Sequence, residues 1–400
     1  MTKPKYRQFG ISIVFSVWTT LPVLANRENS LCAAFTPDPE EFAAKFFEAT
    51  LPEFKNQNFV LSPYGVSQTL GLISLGAEGA TRVALNAALG FATNACRSFV
   101  SETFSEWNKK LASKDGENVR LLLSNSLWIA PEFKLKGSFA KLTGDVFGAG
   151  VKQVEMGLPA QRTINEYVAS KTGGMIRELL KDPPDQETEL IAVNTVYLDA
   201  KWESPFRKAS TGKRPFSTPG GEKKVDFMHQ TGRFKIYEDN LCKILFLPYC
   251  GNMLEMAVIL PEKNAALRSL KNKFSGRTLC EISKSAETKS VQIALPKFEV
   301  TSSIDLKMPL LKMGLGIAFS DRADFSGISD IRLSISKAEQ VAKIRVDEDG
   351  TEAAAATYIA MMRCSLIHPD EEFLADRPFL FALRDKETSD ILFAGMVSEP

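Results

Sequence analysis

Residues 347–370 read DEDGTEAAAATYIAMMRCSLIHPD, and no single secondary-structure rule accounts for them. The acidic turn and Ala353–Ala356 begin as a helix should, because alanine has the best helix propensity and Glu352 suits a helix N-terminus. Thr357, Tyr358 and Ile359 then favour a strand, and His368–Pro369 cannot continue a helix. The segment is able to be more than one thing.

The surrounding chain limits what that ambiguity means. With 400 residues and 44% hydrophobic content, it can bury a substantial core in at most about two or three domains. A formal net charge of +1 without long runs of one sign gives no electrostatic argument for nucleic-acid binding. The first 25 residues differ from the rest. Lys3, Lys5 and Arg7 precede the apolar run FGISIVFSVWTTLPVLA, and Val23 and Ala25 stand before a cut at Asn26, which is the layout of a secretory signal peptide. Thr19, Thr20 and Pro22 make the run short for a membrane span. The expectation is therefore a signal peptide over 1–25, a single domain over 26–400, a secreted extracellular product and no membrane partner.

Secretion invites a disulfide reading of Cys32, Cys96, Cys242, Cys250, Cys280 and Cys364, yet six cysteines are sparse for a chain of this size. If Cys364 is exposed and free, the other five cannot all pair with one another. Connectivity stays open.

Between the termini, 38–50 places Phe42, Phe46 and Phe47 at helical spacing behind Pro39. Ser62 and Pro63 form an N-cap and first turn for an apolar helix. Residues 119–130 and 189–202 look like buried strands, and RTINEYVASKTGGMIRELL like a helix broken at Gly173 and Gly174. After residue 215 the texture turns to strands separated by turns. Helices early and strands late, without βαβ alternation, favour one α+β domain with largely antiparallel sheets.

A conventional active site is hard to assemble. The chain has two histidines, His229 and His368, and neither has a hydrolase motif around it, although such enzymes need an imidazole beside the nucleophile. His229 is read as a hydrogen-bonded structural residue. No Cys-X-X-Cys or His-Glu-X-X-His spacing suggests zinc. LGAEGA at 75–80 has two glycines but no phosphate-binding lysine, and reads as a helix end and turn. No cofactor, metal or catalytic residue is expected.

Five stretches point elsewhere. FLADRPFLFAL at 373–383, within the C-terminal segment 373–400, together with NFVLSPYGVSQTLGLISLGAEGAT, NTVYLDAKWESPF, MHQTGRFKIYED and GTEAAAAT, resembles the serpin superfamily in family order over nearly all of the mature chain. The style is similar to secreted arthropod serpins, tick salivary ones among them. The resemblance implies three mainly antiparallel β-sheets, about eight or nine helices and an exposed reactive-centre loop. It also implies a monomer that inhibits a serine protease as a suicide substrate: the protease forms an acyl-enzyme and is trapped when the cut loop inserts into the central sheet. Alternatives from other classes are a non-inhibitory serpin with a binding, transport or storage role, and inhibition of cysteine proteases.

Such a loop must tolerate water first and burial later. In a strand, alternate residues share a face, so Thr351, Ala353, Ala355 and Thr357, all small and uncharged, would point inward. Glu352 falls outward with Ala354, Ala356 and Tyr358. An inward charge would lose its hydration and a proline would remove a ladder bond; neither occurs between Thr351 and Ile359, and Gly350 supplies a permissive hinge. This pattern favours active inhibition. Family register puts Cys364 on the acyl side of the reactive bond and Ser365 on the leaving side. The alternative, Arg363–Cys364, would suit a trypsin-like protease with an acidic pocket, whereas Cys364 or Met362 would suit elastase-like or chymotrypsin-like enzymes.

The resemblance also assigns support positions. Ser62 and Asn194 fall beneath the opening of the central sheet. Gln340 stands where the family often has histidine and cannot become cationic. Lys297 and Glu348 match a family salt-bridge pair at the top of the sheet, which as an exposed pair would contribute little. Arg97, Lys109, Lys110 and Lys114 are interleaved with acids and read as a solvated mixed-charge face, so heparin binding is not expected.

Overall fold

The computed structural model describes residues 39–54, 57–263, 265, 267–273, 276–351 and 369–400. The leader and positions 352–368 lie outside them. Among the described residues there are eight α-helices: α1 (Pro39–Thr50), α2 (Pro63–Ser74), α3 (Gly79–Ala88), α4 (Arg97–Ala112), α5 (Gly137–Phe147), α6 (Leu158–Lys171), α7 (Gly276–Ser285) and α8 (Lys307–Lys312). In α1, Phe42 and Phe46 stack at 5.9 Å on the buried face, one helical turn apart. Ser62 caps α2, its Oγ accepting from the Gly65 amide at 3.0 Å, and every residue of this helix is buried. A helix apolar on all sides belongs inside a protein, and α2 touches both β-layers described below. The helix read through Gly173 and Gly174 ends at Lys171 and does not resume. Both glycines take left-handed backbone, with φ 60° and 82°, which terminates a helix where a single one would cap it.

The strands in chain order are β1 (Phe59–Leu61), β2 (Val119–Ile129), β3 (Gly150–Gln153), β4 (Leu190–Lys201), β5 (Gly212–Thr218), β6 (Gly221–Glu238), β7 (Cys242–Pro248) and β8 (Leu254–Pro261). They continue with β9 (Glu287–Pro296), β10 (Phe298–Asp305), β11 (Lys337–Val346), β12 (Gly350–Thr351), β13 (Glu371–Leu374), β14 (Phe379–Asp385) and β15 (Ile391–Val397). Six of them form one sheet in the order β10-β11-β12-β4-β2-β3, and nine form the other, β1-β15-β14-β8-β7-β6-β9-β13 with β5 on β6. Where three sheets are expected, hydrogen bonding makes two continuous, because the 18-residue β6 pairs with β5 and β9 along most of its length and with β7 at its end.

Two apolar clusters fill the molecule. One lies among the helices and includes Ile191–Val193 of β4 and Val341 of β11. The other lies between the sheets and includes Val196, Leu198 and Ala200 of β4 with Ala342, Ile344 and Val346 of β11. The clusters change over along β4 at Asn194 and Thr195, both buried.

Lys114 departs from the solvated face expected for it. It follows α4 and is buried against the equally buried Asp385, with Glu387 at 3.2 Å. Burial opposes its charge, yet the two carboxylates outweigh that and raise its pKa above the ordinary lysine value. Arg97 pairs with Glu78 at 2.5 Å and Lys110 with Glu106 at 3.0 Å, so these cations of α4 are committed to carboxylates. Removing one partner of a buried pair strands the other charge. Lys114→Ala is expected to destabilise the protein by about 3 kcal/mol, read as a lowered urea midpoint, whereas Lys110→Ala on the exposed surface should leave that midpoint nearly unchanged.

Candidate functional site

The sheet of six strands contains one pair that is both central and parallel. β11 and β4 run side by side from Lys337–Ile191 to Lys343–Tyr197. Beyond Lys343 they separate, and β12 enters between them, antiparallel to both: Thr351 faces Val346 on β11 and Ala200 on β4. The candidate site consists of this entry and the polar lock farther down the same ladder.

The lock is built on Gln340, which is fully buried. Its Oε1 accepts from the Ser62 amide at 2.9 Å, and its Nε2 donates to the Ser62 carbonyl at 2.9 Å and to Asn194 Oδ1 at 2.6 Å. Asn194 Nδ2 donates to Asn125 Oδ1 at 2.8 Å, which also accepts from Thr69 Oγ1 at 2.8 Å. The network joins α2, β2, β4 and β11 across the changeover between the two apolar clusters, where an unpaired amide would be costly. Gly65 admits it: a Cβ there would collide with the Asn194 carboxamide.

At the entry, Thr351 is buried and its Oγ1 shares a 2.6 Å hydrogen bond with Tyr249 Oη. Burial holds the Tyr249 hydroxyl far above its ordinary pKa, against the small opposing effect of Thr351, so it stays neutral. The Tyr249 ring stacks on Trp202 at 4.5 Å. Trp202 also grips the preceding turn, donating from Nε1 to the Asp347 carbonyl at 3.0 Å and from its amide to the Asp349 carbonyl at 3.0 Å. The Phe206 amide donates to the Glu348 carbonyl at 2.8 Å. Gly350 is required by close approach, because a Cβ there would strike the Ala200 carbonyl oxygen.

The Lys297–Glu348 pair is not the exposed one expected. Nζ and Oε2 are 2.9 Å apart, with the lysine side chain 37% exposed and the glutamate 6%, and Thr211 Oγ1 donates to the other carboxylate oxygen at 2.7 Å. Burial alone would raise the Glu348 pKa, but Lys297 and Thr211 outweigh it and hold the carboxyl below its ordinary value.

Of the expected site residues, Ser62, Asn194 and Gln340 come together in the lock, and Gly350 and Thr351 lie at the entry with Glu348 and Lys297 beside them. Glu352, Ala353–Ala356 and Thr357 of the hinge, together with Met362, Arg363, Cys364 and Ser365, lie outside the described residues. So does His368. His229 sits half-buried on β6, stacked on Phe227 at 6.5 Å, its pKa lowered by burial and by Arg214. The sequence reading missed Asn125, Thr69, Tyr249 and Trp202. Asn125 had a signal, a polar Ser-Asn-Ser island inside the apolar strand VRLLLSNSLWI. Cys242, Cys250 and Cys280 are free thiols. Among the described residues, no group of three His, Cys, Asp or Glu is placed to hold a metal, and no helix is long and apolar enough to cross a membrane.

Comparison with known proteins matches residues 38–400 to the serpin (serine protease inhibitor) family. Bovine leukocyte elastase inhibitor is 33% identical over 373 residues, covering 90% of this chain and 97% of its own length. Iripin-2 of the tick Ixodes ricinus is 31% identical over 374 residues, covering 92% and 94%. Human thyroxine-binding globulin in complex with its hormone superimposes with a TM-score of 0.83 at 26% identity, covering 90% and 97%.

Two outcomes follow from this geometry. Gln340→Leu removes the hub and leaves the Ser62 N–H and Asn194 Oδ1 without their partners, so a loss of about 2–3 kcal/mol is expected, read from urea unfolding. Glu348 has a depressed pKa, so its contribution is complete above the ordinary carboxylate range and is lost as pH falls through its lowered folded value. Lys297→Ala should flatten that acid-side loss in unfolding midpoints taken across pH.

Proposed function

The chain belongs to the serpin family, so it is a protease inhibitor and not an enzyme, and we propose that it acts on a serine protease as a suicide substrate. The observation that carries this reading is the two-residue β12, seated between β4 and β11 and antiparallel to both. A strand continuing from Thr351 would part a parallel ladder and replace it with two antiparallel ones, which are slightly more stable per residue. Residues 352–357 are small apart from the outward Glu352, which suits them to that path. The attacked loop would form an acyl-enzyme with the protease, and insertion would carry the bound protease away from its productive geometry before water completes hydrolysis.

The reactive bond is assigned to Cys364–Ser365, with Arg363–Cys364 as the alternative for a trypsin-like target and Met362 extending the range toward chymotrypsin-like enzymes. The basic and apolar leader supports secretion of a mature chain beginning at Asn26, acting as a monomer outside the cell.

The test is incubation of the purified mature protein with trypsin, chymotrypsin and elastase, followed by denaturing gel and mass spectrometry. A covalent complex that survives denaturation is expected, and the mass of the released C-terminal peptide identifies the acyl residue. Loop cleavage by all three enzymes without any complex would favour a binding or transport role. Thr351→Arg would force a cation into the Tyr249 pocket and oppose insertion; the folded variant, checked by its thermal transition, should be cleaved without forming a complex. Unchanged stoichiometric trapping by that variant would contradict the insertion path.

A further inference from the structure

Residues 89–96, LGFATNAC, join α3 to α4 in a connection that is pinned from beneath and open at its tip. Fully buried Asn86 donates from Nδ2 to the Ala95 carbonyl at 3.1 Å, and its own carbonyl accepts from the Phe91 amide at 2.8 Å. Phe91 is buried against Phe99, Phe104 and Trp107, and Ala95 is buried as well. Between these anchors the Ala95 amide donates to the Ala92 carbonyl at 2.8 Å, which closes a β-turn with Thr93 and Asn94 at its central positions. Both are exposed. Cys96 follows at the N-cap of α4, half-buried, with Sγ 3.3 Å from the Ser98 hydroxyl oxygen.

The triplet Asn94-Ala95-Cys96 thus sets an asparagine on a solvent-facing turn, two residues before a side chain able to hydrogen-bond. N-linked glycosylation takes asparagine with serine or threonine at that second position and any residue but proline between, and the chain has no such triplet. A thiol is a donor and acceptor of the same kind as a hydroxyl in weaker form, so it can stand in at reduced efficiency.

We propose that Asn94 is an acceptor for an N-linked oligosaccharide, an assignment that rests on the secretory reading of residues 1–25. The donor is a lipid-linked oligosaccharyl pyrophosphate in the secretory lumen. Asn94 Nδ2 attacks the anomeric carbon of the first sugar. The carbon–nitrogen bond forms as the carbon–oxygen bond to pyrophosphate breaks, the lipid pyrophosphate leaves with the electron pair, and a base of the transferase takes the amide proton. The glycan then projects from the turn tip, which the fold leaves outside the core.

Asn240-Leu241-Cys242 repeats the spacing in a different setting. The Asp239 amide donates to the Cys242 carbonyl at 3.0 Å across the tip of the β6–β7 hairpin, and Asp239 Oδ1 accepts from the Leu241 and Cys242 amides at 2.9 Å and 3.0 Å. These bonds are local, so the turn tightens on the fast timescale of hairpins. Cys242 is fully buried. A closed turn whose second-position thiol enters the core is a poor acceptor, which makes Asn240 an internal control.

The experiment expresses the full chain with its own leader in cultured mammalian cells and treats total protein, cellular and secreted, with peptide-N-glycosidase in heavy-oxygen water, followed by peptide mass mapping. A fraction of the chains should migrate slowly before treatment and return to the bare mass after it, with Asn94 converted to labelled aspartate. Asn94→Gln and Cys96→Ala should each abolish the slow form, Cys96→Thr should raise its share severalfold, and Asn240→Gln should leave it unchanged. Transfer precedes folding, so a variant that folds poorly still reports its occupancy. A slow form in Cys96→Thr with none in the unsubstituted chain would overturn the proposal and leave secretion standing. Its absence from both would remove the secretory reading and the proposal with it, and a glycan on Asn240 with Asn94 bare would overturn the assignment.

Discussion

The 2.6 Å hydrogen bond between Gln340 and Asn194 is the constraint on which the central sheet depends. It crosses the one place where β11 and β4 lie side by side as parallel neighbours, at the depth where the apolar core passes from the helical side to the space between the sheets. Both side chains are fully buried, so water cannot substitute for either partner without opening the sheet. A polar contact in such a place holds two strands together yet offers less cohesion than a dry aliphatic seam would. That combination suits a ladder that is closed at rest and parts under a defined competitor.

The competitor sits at the other end of the same ladder. β12 occupies the gap above Lys343 and Tyr197, held by Tyr249 from one side and by a turn that Trp202, Phe206, Thr211 and Lys297 grip through its backbone and its glutamate. Under the proposed mechanism the entry and the lock act in sequence: the strand grows downward from Thr351 and meets Gln340 midway along the parallel ladder. Glutamine at the hub makes the lock insensitive to proton uptake, because its amide does not titrate near neutrality. Acid sensitivity resides instead at the top, in Glu348.

Local rules made several parts of this legible in advance. The Ser62 cap, the proline after it and the phenylalanine spacing of the first helix depend on neighbours within one or two turns, and they appear as read. The tandem glycines at 173 and 174 suggest a break within a helix and instead end it, because both take left-handed backbone just past Lys171. Lys114 and Glu348 depart from the exposed positions their sequence suggests for one reason. Whether a charged side chain is solvated depends on what the chain brings back against it hundreds of residues later, here Asp385 for the lysine and, from an earlier segment, Thr211 for the glutamate.

The amino-acid sequence by itself determined the α+β class, the family, the buried helix after Ser62 and the small-residue character of the segment after Gly350, since these rest on composition, periodicity and motif order. The tertiary structure alone decided that Asn125 and Thr69 complete the Gln340 lock and that Tyr249 receives Thr351. Each of these joins residues far apart in the chain, and hydrogen bonds and ion pairs act over a few ångströms of space, a distance that sequence separation does not encode.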